Sequence, residues 1–149
     1  MTAGYLAWGS HCIKDGKDYT EGLLGAKLES GLDNSPMFDD ASFNETTFTM
    51  QLADVGLNSL YVMDCKALAE IATVLGKKQD AKELKQRAKT FTRKVQELWD
   101  EESGIFLNLH TDTGKRSHRL SPTNFYPMLA GICTQRQAER MMNEYYVNP

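Results

Sequence analysis

The sequence predicts an all-α chain with one small β-hairpin and a loop-rich N-terminal segment. Three observations carry this. Between about Asp54 and Leu75, apolar side chains recur at steps of three and four, which is the period of one helix face. Between about Asp80 and Leu98 they recur again, now opposite a row of Lys, Glu and Arg. Before residue 50 there is no such period, and glycines at 4, 9, 16, 22, 25 and 31 punctuate short apolar pieces.

The elements follow in chain order. Within the N-terminal segment, Lys14-Asp15-Gly16-Lys17 reads as a turn. Tyr5, Leu6, Trp8, Leu23, Leu24, Leu28 and Phe38 supply apolar mass to bury, so the segment is read as ordered working surface rather than disorder. The first helix starts near Asp54. Leu57, Leu60, Leu68, Ile71 and Leu75 form its stripe, Asp64 interrupts it, and Gly76 is its stop. Tyr61, Met63 and Cys65 widen the apolar surface, so burial on more than one side is expected. The second helix starts near Asp80, which has capping-box spacing to Glu83. Its buried stripe is Ala81, Leu84, Ala88, Phe91, Val95 and Leu98, and Glu83 with Arg87 adds an i,i+4 pair. Ile105 to His110 reads as a strand, Thr111 to Gly114 as a tight turn, and Lys115 to Leu120 as the returning strand. Ser121-Pro122 opens a helix carrying Phe125, Met128, Leu129 and Ile132. Thr134 and Gln137 open a last helix, with Ala138, Met141, Met142 and Tyr145 on one face. No period of about 20 to 50 residues repeats, which argues against a TPR-type or ankyrin-type array.

The bulk numbers remove several function classes. A length of 149 residues suits one domain. Seventeen basic residues are interleaved with twenty acidic ones, for a net charge of -3. That balance argues against nucleic acid or an anionic membrane surface as partner. No stretch has the length of a membrane-spanning helix. The start, Met1 to Leu6, lacks a basic region and a long apolar run, so no signal peptide is read in this chain; localisation stays open, with the cytoplasm as default. Cys12, Cys65 and Cys133 are odd in number and far apart, so free thiols are expected. His11, His110 and His118 have no metal-site spacing, and Asp39-Asp40 lacks the alternation of a calcium loop. No metal and no cofactor is therefore expected, and Asp39 and Asp40 are assigned surface or loop-cap roles.

The densest chemistry lies in Glu29-Ser30-Gly31-Leu32-Asp33-Asn34-Ser35-Pro36. It gathers two carboxylates, an amide and two hydroxyls around one glycine. On spacing alone, Asp33 as cap of the turn before Pro36 is the simpler reading. Gly31 and Pro36 argue against a regular helix that would stack Glu29 on Asp33.

This stretch resembles the acid-catalyst segment of inverting glycosidases with an (α/α)6 barrel, in particular glycoside hydrolase family 63, with the processing α-glucosidases and the bacterial mannosylglycerate-type hydrolases. Trehalases are similar more distantly. The likeness continues in family order through Gly4 to Ser10, Leu52 to Tyr61, Leu98-Trp99-Asp100 with Gly104-Ile105-Phe106, and Ser121 to Gly131. It implies that residues 1–149 are a fragment of a single (α/α)6-barrel catalytic domain, a partial toroid of α-helical hairpins. It implies that Asp33 is the general acid, that a carbohydrate is the substrate, and that the rest of the barrel, including the glutamate base, lies outside this chain. Inverting hydrolysis needs a protonated carboxyl on one side of the bond and an ionised one on the other, roughly 6.5–9.5 Å apart. Glu29 is too near Asp33 in sequence to be that partner and is assigned to substrate binding or to holding the loop. Asn34 contacts ligand or locks the turn. Trp8 faces a sugar ring or joins the core. In the family frame Asp54, Asn58 and Tyr61 point toward the barrel mouth, with Asn58 the substrate-binding candidate, and Asn124 and Phe125 are weaker candidates of the same kind. The competing reading is a non-catalytic helical module that binds carbohydrate or peptide.

Overall fold

The computed structural model describes residues 13–14, 17–18, 22–32 and 35–147. They form two compact units, each built from two separate stretches of chain. Trp8, Asp33 and Asn34 lie outside the described residues.

The first unit comprises Met1–Asp54 and Asn108–Ser121. Strands β1 (Ile13–Lys14) and β2 (Lys17–Asp18) pair antiparallel, Lys14 opposite Lys17; Asp15 and Gly16 of the turn expected between them lie outside the described residues. Next comes a helix that the glycine-rich composition concealed, α1 (Gly22–Glu29). Leu23, Leu24, Ala26, Lys27, Leu28 and Glu29 are all good helix formers. Gly22, with φ +61°, provides the left-handed turn at the helix start. A 3-10 turn over Pro36–Phe38 follows, then the hairpin β3 (Phe43–Asn44) and β4 (Thr49–Met50). β5 (Leu52–Ala53) pairs with β8 (Leu109–His110), opposing Leu52 to His110 and Ala53 to Leu109. The core of this unit is Ala26, Met37, Phe38, Ala41, Met50 and Leu52, flanked by Leu23, Leu32 and Phe43.

The second unit comprises Val55–Leu107 and Pro122–Pro149. Its frame is a long helical hairpin, α2 (Val55–Val74) and α3 (Lys78–Gln96), turned at Gly76 with φ +71°. α3 buries Ala81, Ala88 and Val95 as expected. Its start differs: Lys77 is the cap residue without a side-chain bond, and Glu83 instead accepts from Arg87 at 3.0 Å. α2 departs further. Its buried positions are Val55, Gly56, Asn58, Ser59, Val62, Cys65, Ala69 and Ala72. The expected stripe faces out instead, with Leu60, Leu68, Ile71 and Leu75 at 43%, 50%, 53% and 65% exposure. The reason is size. The buried face of α2, packed on α3 and on the segment from Pro122, carries Gly, Ser, Ala and Cys, small residues that allow close approach, and the leucine face is left uncovered.

The strand expected over Ile105 to His110 divides between the two units. β7 (Ile105–Phe106) pairs back onto β6 (Trp99–Asp100), whereas β8 pairs with β5. The tight turn is present, closed by the Gly114 amide on the His110 carbonyl at 2.8 Å. The returning strand is reduced to an isolated bridge between Leu109 and Arg116. Pro122–Phe125 is a 3-10 turn leading into the short α4 (Tyr126–Leu129). α5 (Gln135–Met141) starts with the expected capping box of Thr134 and Gln137, and a π-helical turn over Met142–Val147 follows it.

An ion cluster fastens the end of the second unit. Arg136 donates to both Glu101 carboxylate oxygens, at 2.7 and 2.9 Å, the Trp99 indole N–H donates at 2.7 Å, and Arg140 stands nearby. The Arg136 bonds first, then the indole, hold the Glu101 carboxyl down at about 2 against an ordinary 4.5. A lowered folded value means the cluster stabilises fully above pH 4.5 and is lost as pH falls toward about 2. The expected result is a Glu101 side-chain NMR titration centred near 2, with loosening of α5 only below pH 4.5. A midpoint at the ordinary value would show the cluster to be unformed in solution.

Candidate functional site

The segment around Asp33 is fixed on both sides. On its N-terminal side, α1 ends at Glu29, and Gly31 takes φ +76°, the left-handed conformation of a helix exit. The Ser30 hydroxyl donates to the Lys27 carbonyl at 2.6 Å and accepts the Leu32 amide at 3.1 Å. Leu32 packs on the core of the first unit. On the C-terminal side, the Ser35 side chain caps the 3-10 turn by accepting the Met37 amide at 3.3 Å, and Pro36 occupies its first position. Met37 and Phe38 are then buried, at 2% and 0% exposure. The hydroxyls and the proline of the motif thus serve the backbone and leave the two unassigned polar positions, Asp33 and Asn34, between fixed shoulders.

The two shoulders are joined by a charge pair. The Lys27 ammonium donates to Asp39 Oδ1 at 2.9 Å, and Lys27 is buried to 8% exposure. That bond, more than any other, holds the Asp39 carboxyl below the usual carboxylate range. Asp39 also ends the 3-10 turn, its amide donating to the Pro36 carbonyl at 3.2 Å, so the expected loop-cap role is found. Arg119 lies 3.7 Å from Asp39 Oδ2 and 3.4 Å from Asp40 Oδ1. His110 Nε2 is 3.6 Å and His118 Nδ1 4.0 Å from Asp40 Oδ2. Beside this node is a hollow of about 240 Å³ whose walls include Asp40, Ser42, His110, Asp112, Arg116 and His118. A hydrogen bond from Ser42 lowers the Asp112 carboxyl. Among the described residues no group of three or more His, Cys, Asp or Glu is arranged to hold a metal ion.

The other expected site residues are distributed as follows. Glu29 is the exposed last residue of α1 in the first unit. Asn58 is buried on α2 of the second unit, at 5% exposure. Asp54 is fully buried just before α2. Tyr61 turns toward α3: its ring centroid is 4.3 Å from that of Phe91, and its hydroxyl accepts from Arg87 at 3.4 Å. Asn124 is buried and donates to the Phe106 carbonyl at 2.7 Å, which ties the second 3-10 turn to β7. Cys65 and Cys133 are free thiols, and burial pushes the latter up to about 11. The sequence carries no signal for Lys27 or Arg119, and it marks His110 only as lacking metal-site spacing. Their partners lie 12 to 80 positions away, and no local spacing signals such pairs.

Comparison with known proteins matches this arrangement to glycosidases. A probable trehalase of Eremothecium gossypii is 32% identical over 118 residues, which are 70% of this chain and 16% of the trehalase. The cytosolic neutral trehalase of Kluyveromyces lactis is 42% identical over 45 residues, 30% of this chain and 6% of that protein. Among solved structures, the neutral trehalase Nth1 from Saccharomyces cerevisiae superposes with a TM-score of 0.67 at 26% identity, over 80% of this chain and 22% of that one. The mostly helical chain fits part of a helical toroid of that kind. The chain thus spans less than a quarter of these relatives. The family model for the mannosylglycerate hydrolase MGH1-like glycoside hydrolase domain matches residues 3–146. With that match running almost from end to end, the chain belongs to the MGH1-like glycoside hydrolase family, within the six-hairpin glycosidases.

Proposed function

We propose that this chain is the acid-bearing part of a single (α/α)6-barrel catalytic domain that hydrolyses an O-glycosidic bond with inversion. Asp33 is the general acid. The observation that carries this reading is the motif Glu29 to Pro36, whose serines, glycine and proline hold the backbone over residues 30–32 and 35–38, which flank Asp33 and Asn34 in sequence. A proton donor acts only within hydrogen-bond reach of the leaving oxygen, and well-held flanks suit that role. Glu29, Asn34, Trp8 and Asn58 are the substrate-binding residues, and the base is a glutamate outside this chain. No cofactor takes part.

The finer assignment is to the family 63 group, acting on an α-glucoside or on mannosylglycerate. It rests on the motif likeness; the names of the sequence relatives add trehalose to the glycosides to be tried. The rest of the barrel covers the exposed Leu60, Leu68 and Ile71 of α2 and Leu75 just after it, since so continuous an apolar strip is unusual on a free surface. By itself the chain is inactive.

The test is to follow hydrolysis by the complete enzyme with ¹H NMR and read the anomer that forms first. An inverted anomer is the expected result. A retained anomer would overturn the two-sided mechanism, and binding without turnover of any glycoside would favour a binding module.

A further inference from the structure

We propose that the β3–β4 hairpin carries a carbohydrate subsite: Phe48 is the platform for one glycosyl ring, and Thr47, Thr49, Gln51 and Thr111 bind its hydroxyls. The subsite lies wholly within the first unit and uses neither Asp33 nor Asn34. It therefore goes beyond the assignment of the acid. That the ligand is a sugar rests on the chain being part of a glycosidase.

The argument starts from a residue that its backbone does not suit. Phe48 has φ +52°, and among the described residues the other left-handed φ values belong to glycines. A bulky side chain strains the chain there, whereas glycine or asparagine would not. Burial is the usual compensation, and Phe48 has little of it. It is 57% exposed, while Phe38 and Phe106 have no exposed surface. Strained residues of this kind collect at ligand sites. The turn that presents Phe48 is also well held. Asn44 Oδ1 accepts the Thr46 and Thr47 amides at 2.9 and 3.0 Å, and Phe43 and Asn44 pair with Met50 and Thr49. The backbone that carries the ring is thus set before binding, which lowers the ordering cost.

The neighbours of Phe48 set the chemistry of the ligand. Thr47 Oγ1 and Thr49 Oγ1 are 2.7 Å apart, Gln51 Nε2 donates to Thr49 Oγ1 at a long 3.5 Å, and Thr111 Oγ1 donates to Gln51 Oε1 at 3.1 Å. The Thr111 amide donates to the Gln51 carbonyl at 3.1 Å and fastens the far end of this row. Every side chain in the row is neutral, and each hydroxyl can both donate and accept. That suits the hydroxyls of a sugar and offers no charge to hold a phosphate or carboxylate. An exposed aromatic next to such a row suits the apolar C–H face of a pyranose. An apolar protein partner would need more than one large anchor, and Glu45, Thr46, Thr47 and Thr49 supply none.

The experiment titrates the complete enzyme calorimetrically with S-linked α-glucobiose and α-mannobiose, whose sulfur bridges resist hydrolysis. Binding is then read apart from turnover, and a failure of Asp33 as the acid would leave the result untouched. Phe48→Gly is the test variant and Phe48→Trp the conservative one. Glycine suits φ +52°, so the thermal midpoint of Phe48→Gly should stay at or above that of the wild type. Its affinity for the tighter-binding probe should nevertheless fall about two- to tenfold, the worth of one aromatic contact. Phe48→Trp keeps the platform and should bind like the wild type. A merely structural phenylalanine would give the reverse, a lowered midpoint with sugar affinity unchanged. Unchanged affinity in Phe48→Gly overturns the proposal, and so does binding of neither probe by the wild type.

Discussion

Asp33→Asn in the complete enzyme should lower kcat by about 10²–10⁴-fold on an unactivated glycoside and leave sugar binding largely intact. Asparagine has the size and much of the polarity of aspartate but has no acidic proton to transfer. The bond to a poor leaving group then has to break as an alkoxide. The loss should be much smaller on an aryl glycoside whose leaving group departs readily as an anion, because that step needs little protonation. The ratio of the two losses is the signature of a general acid. Equal losses on both substrates would point to damage elsewhere, and retained turnover on the unactivated substrate would refute the role.

The second large effect is expected at Phe38. It has no exposed surface and sits among Ala26, Met37, Ala41, Met50 and Leu52. Phe38→Ala removes most of the largest side chain in this core, at a cost of about 3–5 kcal/mol. That is a large part of the roughly 5–15 kcal/mol that holds an ordinary domain together. Phe38 precedes Asp39 directly, so the cavity opens at the anchor of the charge pair. The chain has two units and need not unfold in one step. Native-state hydrogen exchange is therefore the better measurement, read at the amides of α1 and of the β3–β4 hairpin. Their protection should collapse while α2 and α3 keep theirs. Unchanged protection in α1 would mean that this cluster does not stabilise the first unit. In residues 1–149 alone, trimming exposed Leu68 to Ala should stay within about 0.5 kcal/mol, the ordinary range for surface changes, whereas the complete enzyme, in which the rest of the barrel covers it, should lose more.

What could be read in the sequence depended on how local its cause was. The capping box of Thr134 and Gln137, the stop at Gly76 and the stripe of α3 are set by neighbours within one or two turns, and all three are present. α1 was hidden because Gly22 and Gly25 masked a short run of helix formers. α2 was found but turned the wrong way. Periodicity marks an apolar stripe; it does not tell whether the leucines or the small residues meet the next helix. The pairing of Leu52 with His110 joins residues 58 positions apart and has no local mark. The site followed the same rule. Glu29 to Pro36 stood out through composition, whereas Lys27, Asp39 and Arg119 gain meaning only when distant segments meet.

The pairing of β5 with β8 bears on how the protein is made. The first unit needs Asn108–Ser121, which leaves the ribosome only after all of Val55–Leu107. Until then Leu52 and Ala53 have no strand beside them, and Arg119 is not there to meet Asp39 and Asp40. Closing so long a loop is slow relative to winding a helical hairpin. The α2–α3 hairpin should therefore form first during synthesis, with the first unit completed late. A nascent chain arrested before residue 108 should be protease-sensitive at α1 and the β3–β4 hairpin, and one arrested well past Ser121 should resist there.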